Sequence, residues 1–196
     1  MKYVKMTEEL FAMNFKRLIS KTDLIDGIYI SSLFEVIAYK QMNIDICTIL
    51  EQIKEYGAEY VKNKIGERAL ELIKVSGLDK GMIDVPMKVE QHFSAGEQQI
   101  FVMALYQSLT ALRPIELPFI IDTPLARIDG EHRKNILRSF FAELPGQVII
   151  LSTDEEIDHE SMEMLTKKIS DVYLIEHQMG GSSKANKNMY FGEVRN

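Results

Sequence analysis

Three short runs hold the side chains whose types and spacing could do chemistry. The first is Phe93-Ser94-Ala95-Gly96-Glu97-Gln98-Gln99, where a loop enters a helical stretch. Ser94 and Glu97 have the S-x-x-E spacing that satisfies orphan amides at a helix start. The same serine hydroxyl, a glycine that lets backbone approach closely and the positive end of a helix also make a corner that can bind phosphate. The cap and the phosphate corner do not exclude each other. The second run, Leu117-Pro118-Phe119-Ile120-Ile121, ends in Asp122, 28 residues after Ser94. An apolar strand that ends in a carboxylate delivers that charge to the rim of an α/β sheet, where ligands bind, and there it could hold Mg²⁺ through water. A turn or helix-cap aspartate ahead of Pro124 is the alternative. The third run, Val148-Ile149-Ile150-Leu151, ends in Ser152-Thr153-Asp154-Glu155-Glu156. If its strand neighbours the second, these polar groups fall beside Asp122.

The elements that must position these groups can be read from periodicity. Leu10, Phe11, Met13, Phe15, Leu18 and Ile19 trace an amphipathic helix over 7–20, the end of a longer helical segment. Ile28 to Ile30 and Phe34 to Tyr39 are rich in β-branched and aromatic residues around Ser31-Ser32-Leu33 and predict a hairpin. From Cys47 to Val75 apolar residues recur at three- and four-residue spacing. Two short helices with a break near Gly57 or Gly66 are expected, followed by a loop from Ser76 to Pro86. The second half alternates helices over 97–112, 131–141 and 161–169 with apolar runs over 119–121, 148–151 and 172–175. That alternation predicts a mostly parallel sheet covered on both faces. The tail around Gly180-Gly181-Ser182-Ser183 reads as a flexible loop.

Composition bounds the partners. The 196 residues, 46% apolar and 27% charged, can bury one sizeable core, as a soluble domain or one lobe of a larger one does. The net charge of −6 carries no overall electrostatic footprint for nucleic acid. Only the first 21 residues, with Lys2, Lys5, Lys16, Arg17 and Lys21 against Glu8 and Glu9, have a basic excess. That run is a solvated helix face or lies near a polyanion. The single cysteine, Cys47, forms no internal disulfide and belongs to no zinc-spaced cluster, which fits a reducing, cytoplasmic setting. The apolar runs are too short to span a membrane, and no signal-peptide core opens the chain.

Together, order and spacing of the three runs resemble the C-terminal lobe of an SMC-like ATP-binding-cassette ATPase head, related to double-strand-break-repair ATPases. The wording FSAGEQQIF, LPFIIDTPLARID, EHRKNIL and QVIILSTDEE narrows the resemblance to the DndD family, the ATPases of bacterial DNA phosphorothioation. The likeness is tight from Phe93 to Glu156 and looser from Lys16 to Ile46, and the stretch from Cys47 to Val75 has no counterpart. It implies three parts: a coiled-coil exit helix and hairpin over 1–46, a helical insertion and loop over 47–92, and the signature, Walker B and switch lobe over 93–196. It implies cofactors ATP and Mg²⁺. Ser94, Ala95, Gly96, Glu97 and Gln98 would be the signature and Asp129 the end of the D-loop, all on the nucleotide. Asp122 would be the Walker B aspartate and metal ligand. Catalytic roles would fall to Asp122, Thr123, Thr153, Asp154 and Glu155. Thr123 stands where cassette ATPases usually carry a glutamate, and Thr153 where they usually carry a histidine. The water-positioning role is therefore open, with Asp154 and Glu155 as candidates.

No G-x-x-x-x-G-K-[ST] phosphate loop occurs, since none of the 11 glycines is followed by lysine. The resemblance then implies that an N-terminal Walker A lobe, in the same or a separate polypeptide, completes the head, and that the isolated chain is inactive. Such heads dimerise around the nucleotide. The implied partners are a second head, DNA at one remove and the other phosphorothioation proteins, with no membrane. Two further readings stay open: a related repair or phage-defence ATPase, and a non-catalytic lobe that binds a partner ATPase.

Overall fold

A computed structural model of the chain describes residues 2–21, 23–112, 118–153 and 155–187. The fold is mixed α/β and divides into two compact units, Met1–Glu116 and Leu117–Asn196.

In the first unit, helix α1 (Lys2–Leu18) buries Thr7, Phe11, Asn14, Phe15 and Leu18, a stripe at three- and four-residue spacing. That stripe meets helix α5 (Ala95–Ala111). Phe11 and Phe15 pack on Phe101 with ring centroids 4.7 and 5.4 Å apart, and Phe15 stacks on Phe93 at 5.6 Å. Inside this apolar contact the Asn14 amide donates to the Ser108 hydroxyl at 2.9 Å, so the buried amide is not left unpaired. Phe15 and Phe101 thereby hold the ring of Phe93, the residue that precedes Ser94.

Strands β1 (Gly27–Ile30), β2 (Val36–Asp45) and β3 (Met82–Lys88) form an antiparallel sheet in that order. The hairpin read from the sequence is β1–β2, with Ile30 opposite Val36. Gly27 faces Tyr39 in the register, and the tyrosine ring covers it so closely that a Cβ there would lie 2.6 Å from Oη. The expected loop up to Pro86 is corrected: Met82–Lys88 is the third strand, with Pro86 opposite Gln41. Proline has no ladder N–H to give, and β3 tolerates it because it lies at the sheet edge.

The segment after β2 holds three helices rather than two: α2 (Ile46–Tyr56), α3 (Ala58–Ile65) and α4 (Glu67–Ser76). Both candidate glycines break the chain. Gly57 has φ 87° and ψ 156°, Gly66 has φ 95° and ψ 153°, a backbone region that is essentially glycine's alone. The helices bury Ile49, Val61, Ile65, Ala69, Leu70 and Ile73 against Val85 of β3. At the start of α2 the Asp45 carboxylate accepts from the Cys47 N–H, and the half-buried Cys47 thiol lies 3.6 Å from the Asp79 carbonyl oxygen.

In the second unit, strands β4 (Phe119–Asp122) and β5 (Val148–Leu151) pair in parallel. Between them runs α6 (Gly130–Ile136), which widens into a π turn over Leu137–Phe141. After β5 come α7 (His159–Leu165) and a hairpin of β6 (Tyr173–His177) with β7 (Ser183–Lys187). The Phe140 ring meets Phe119 edge-on at 5.7 Å, and the core gathers Leu125, Ile136, Leu137, Phe140, Phe141, Met162 and Leu165.

Two expectations are corrected here. The third apolar run does not extend the parallel sheet: β6 pairs antiparallel with β7, turned by Gly180 and Gly181 at φ 104° and 83°. Nor, among the described residues, is the parallel pair covered on both faces. Phe119, Ile121, Val148 and Ile150 are half-buried, whereas Ile120, Ile149 and Leu151 on the opposite face are 63, 38 and 49% exposed. Among the described residues no helix is long and apolar enough to cross a membrane.

Candidate functional site

The site residues fall at two places, the start of α5 in the first unit and the carboxyl ends of β4 and β5 in the second.

At the start of α5 the capping box is complete. The Ser94 hydroxyl accepts from the Glu97 N–H at 3.3 Å, and Glu97 Oε2 accepts from the Ser94 N–H at 2.7 Å. Glu97 Oε1 takes Lys21 Nζ at 2.8 Å, with the glutamate side chain 7% exposed. Burial alone would raise the Glu97 carboxyl. The Lys21 ammonium and the Ser94 N–H and hydroxyl outweigh it and hold the pKa below the ordinary glutamate value. Both carboxylate oxygens are thus engaged within the chain. Ser94 and Ala95 are exposed and Gly96 half-exposed, and the amides of the first turn point out along the helix axis, as at any helix start. The Gln98 side chain turns back to the Phe93 carbonyl at 3.2 Å.

In the second unit the parallel register sets Asp122 opposite Leu151. The Thr123 N–H adds one more rung by donating to the Leu151 carbonyl at 2.8 Å. Thr123 has φ 46°, uncommon for a β-branched residue. The chain then buries Leu125 completely and reaches Asp129. Asp129 Oδ1 accepts from the His132 N–H at 3.1 Å, and Oδ2 lies 2.7 Å from His132 Nδ1. The His132 N–H, ahead of the ring contact, draws the Asp129 carboxyl below the usual aspartate value. Asp129 is accordingly the N-cap of α6.

After β5, Ser152 is half-buried, and Thr153 and Glu155 are exposed. Asp154 lies outside the described residues. The structure thus brings Asp122, Thr123 and Thr153 to the same end of two adjacent strands. Glu155 is there too, with its backbone carbonyl taking Arg133 Nη1 at 3.3 Å.

Sequence reasoning passed over the residue on which the two loops converge. Glu156 is 4% exposed, and its carboxylate accepts from the Leu125 N–H at 2.8 Å and the Thr153 N–H at 3.4 Å. The signal was present, since Thr153 and Glu156 repeat the T-x-x-E spacing that marks Ser94 and Glu97. Arg133, Lys21 and His132 carried no comparable mark.

Asp122 is exposed at a strand end. Among the described residues no group of three His, Cys, Asp or Glu side chains stands ready to enclose a metal. A single carboxylate fits Mg²⁺, which keeps several waters and shares its remaining positions with substrate phosphates. In comparison with known proteins, no family model matches the chain and no curated protein matches it significantly.

Proposed function

We propose that the chain is the C-terminal lobe of an SMC-like ATP-binding-cassette head, working with ATP and Mg²⁺ at a dimer interface to drive a DNA transaction, DNA phosphorothioate modification by its resemblance. One observation carries the reading. The parallel register of β4 and β5 sets Asp122 beside the end of β5, so that the two loops quoted for the resemblance leave the same rim of the sheet. Ligands of open α/β sheets bind outside the carboxyl ends of strands. The open face of Ile120, Ile149 and Leu151 supports a further lobe, because parallel strands are ordinarily covered on both sides.

In this reading Asp122 would hold Mg²⁺, and the exposed Ser94 corner of one head would meet the nucleotide of its partner. The metal would bridge and neutralise phosphate oxygens in phosphoryl transfer. Thr123 and Thr153 flank the Asp122 end, and Glu155 is the described carboxylate available to orient water. A phosphate-loop lobe, from the same or a separate polypeptide, completes the head, and the setting is cytoplasmic.

The test is Asp122→Asn in the complete head. Turnover should fall by about a thousandfold or more, because metal positioning is lost. The melting temperature without nucleotide should stay within about a degree or two, since an exposed carboxylate contributes little to stability. Phosphate release near the wild-type rate would refute the assignment. A non-catalytic, partner-binding lobe is the second reading. It is favoured by Thr123 in place of a carboxylate and by the engagement of both Glu97 oxygens. Wild-type complete heads that bind ATP without turnover would select it.

A further inference from the structure

We infer that Glu156 and Arg133 are positioning residues that lock the loop after β4 to the loop after β5, so that the Asp122 and Thr153 ends shift as one body. The inference deepens the ATPase reading and rests on it for its effect on turnover. Its structural half stands on the second unit alone.

The carboxylate of Glu156 splits its two oxygens between the loops. Oε1 holds the Leu125 N–H at 2.8 Å, and Oε2 holds the Thr153 N–H at 3.4 Å. Arg133, on α6, splits its fork in the same way. Nη2 reaches the Leu125 carbonyl at 3.5 Å and Nη1 the Glu155 carbonyl at 3.3 Å. Each side chain therefore carries one bond to each loop, and both polar groups of Leu125 are held by side chains. The anchor cannot slide, because the Leu125 side chain is fully buried. A carboxylate as buried as Glu156 is costly unless charge-assisted donors surround it. If either loop moves alone, that carboxylate loses a donor in a place where little water replaces it. Thr123, with its unusual φ, lies between the Asp122 end of β4 and this anchor. Displacement of the second loop is thus transmitted to the residue that follows Asp122.

The decisive variant is Arg133→Lys, which keeps the charge but loses the fork that reaches two carbonyls. Amide hydrogen exchange on the full chain should speed up about tenfold at both Leu125 and Thr153, whose N–H groups Arg133 does not touch, the size of one charge-assisted hydrogen bond. Glu156→Gln should loosen the same two amides, and Leu165 in α7 should be unchanged in both variants. Loosening of one loop without the other overturns the coupling. A rise at Leu165 as well would make the pair part of the general core, which also overturns it. In the complete head, Glu156→Gln should lower kcat about tenfold with KM for ATP unchanged. An unchanged kcat beside a wild type that turns over ATP overturns the positioning role. If the wild-type head has no turnover, the ATPase reading fails, and the exchange experiment still decides the lock.

Discussion

At the scale of single residues, the pairing of Glu97 with Lys21 makes a definite pH prediction. The Glu97 pKa is depressed in the folded chain. Its contribution to stability is therefore fully present above the unfolded value of about 4.3 and is lost as pH falls through the folded pKa. Lys21→Met removes the ammonium at 2.8 Å but leaves the Ser94 donors. Because the lysine is 60% exposed, solvent screening limits the loss to about 1 kcal/mol at pH 7. As pH falls through the depressed Glu97 pKa and the carboxyl becomes protonated in both proteins, the difference should vanish. Urea unfolding of the two proteins at pH 7 and below that pKa checks it. An equal deficit at both would mean that Lys21 acts through packing of its stem. Asp122, Thr123 and Thr153 were legible as neighbours because apolar runs that end in polar residues announce strand ends. Glu156 was legible only in its T-x-x-E spacing from Thr153; its hold on the other loop was not, because that depends on burial and on the backbone of Leu125, 31 residues away.

At the scale of elements, the two glycine breaks in the helical segment after β2 should differ in how they bear a side chain. A Cβ on Gly57 would meet nothing within 4 Å, whereas one on Gly66 would lie 3.1 Å from Tyr29 Oη and 3.4 Å from Lys88 Cβ. Gly57→Ala should therefore cost about 1 kcal/mol for its positive φ, and Gly66→Ala about 2 kcal/mol or more, since crowding adds to strain. Chemical denaturation of both variants measures the gap, and equal costs would show that the β1 and β3 side chains yield freely. The same glycines show what periodicity can and cannot convey. Apolar spacing announced helices from Cys47 to Val75, but no spacing tells whether one glycine or two adopt a helix-breaking φ. Strand β3 was hidden because Asp84 and Pro86 are poor strand residues, admitted here only at an edge. The run at 172–175 resembled β4 and β5 in composition. Its pairing was decided by the Gly180-Gly181 turn, which brings back β7, a strand with no apolar pattern of its own.

At the scale of the whole molecule, the open face of the parallel pair separates chain stability from assembly. Ile120 is 63% exposed, so Ile120→Thr should change unfolding free energy by no more than about 0.5 kcal/mol. If the proposed phosphate-loop lobe covers this face, association with it, measured by calorimetric titration, should weaken by about tenfold, the loss of an apolar contact of roughly 1–2 kcal/mol. Wild-type association by the mutant would remove this face from the assembly. The division into two units adds a consequence that begins with the thiol of α2. Cys47 is the chain's single cysteine, it is half-buried beside Asp79, and it belongs to the first unit. A disulfide reagent therefore has one target, and the denaturant-dependent part of its reaction rate, beyond the direct access that a half-buried thiol allows, reports openings of the first unit. Set against the chain's global unfolding free energy, that rate tells whether α2 comes loose while the rest of the chain stays folded. The molecule thus carries a native probe of its helical segment, readable without any label being engineered.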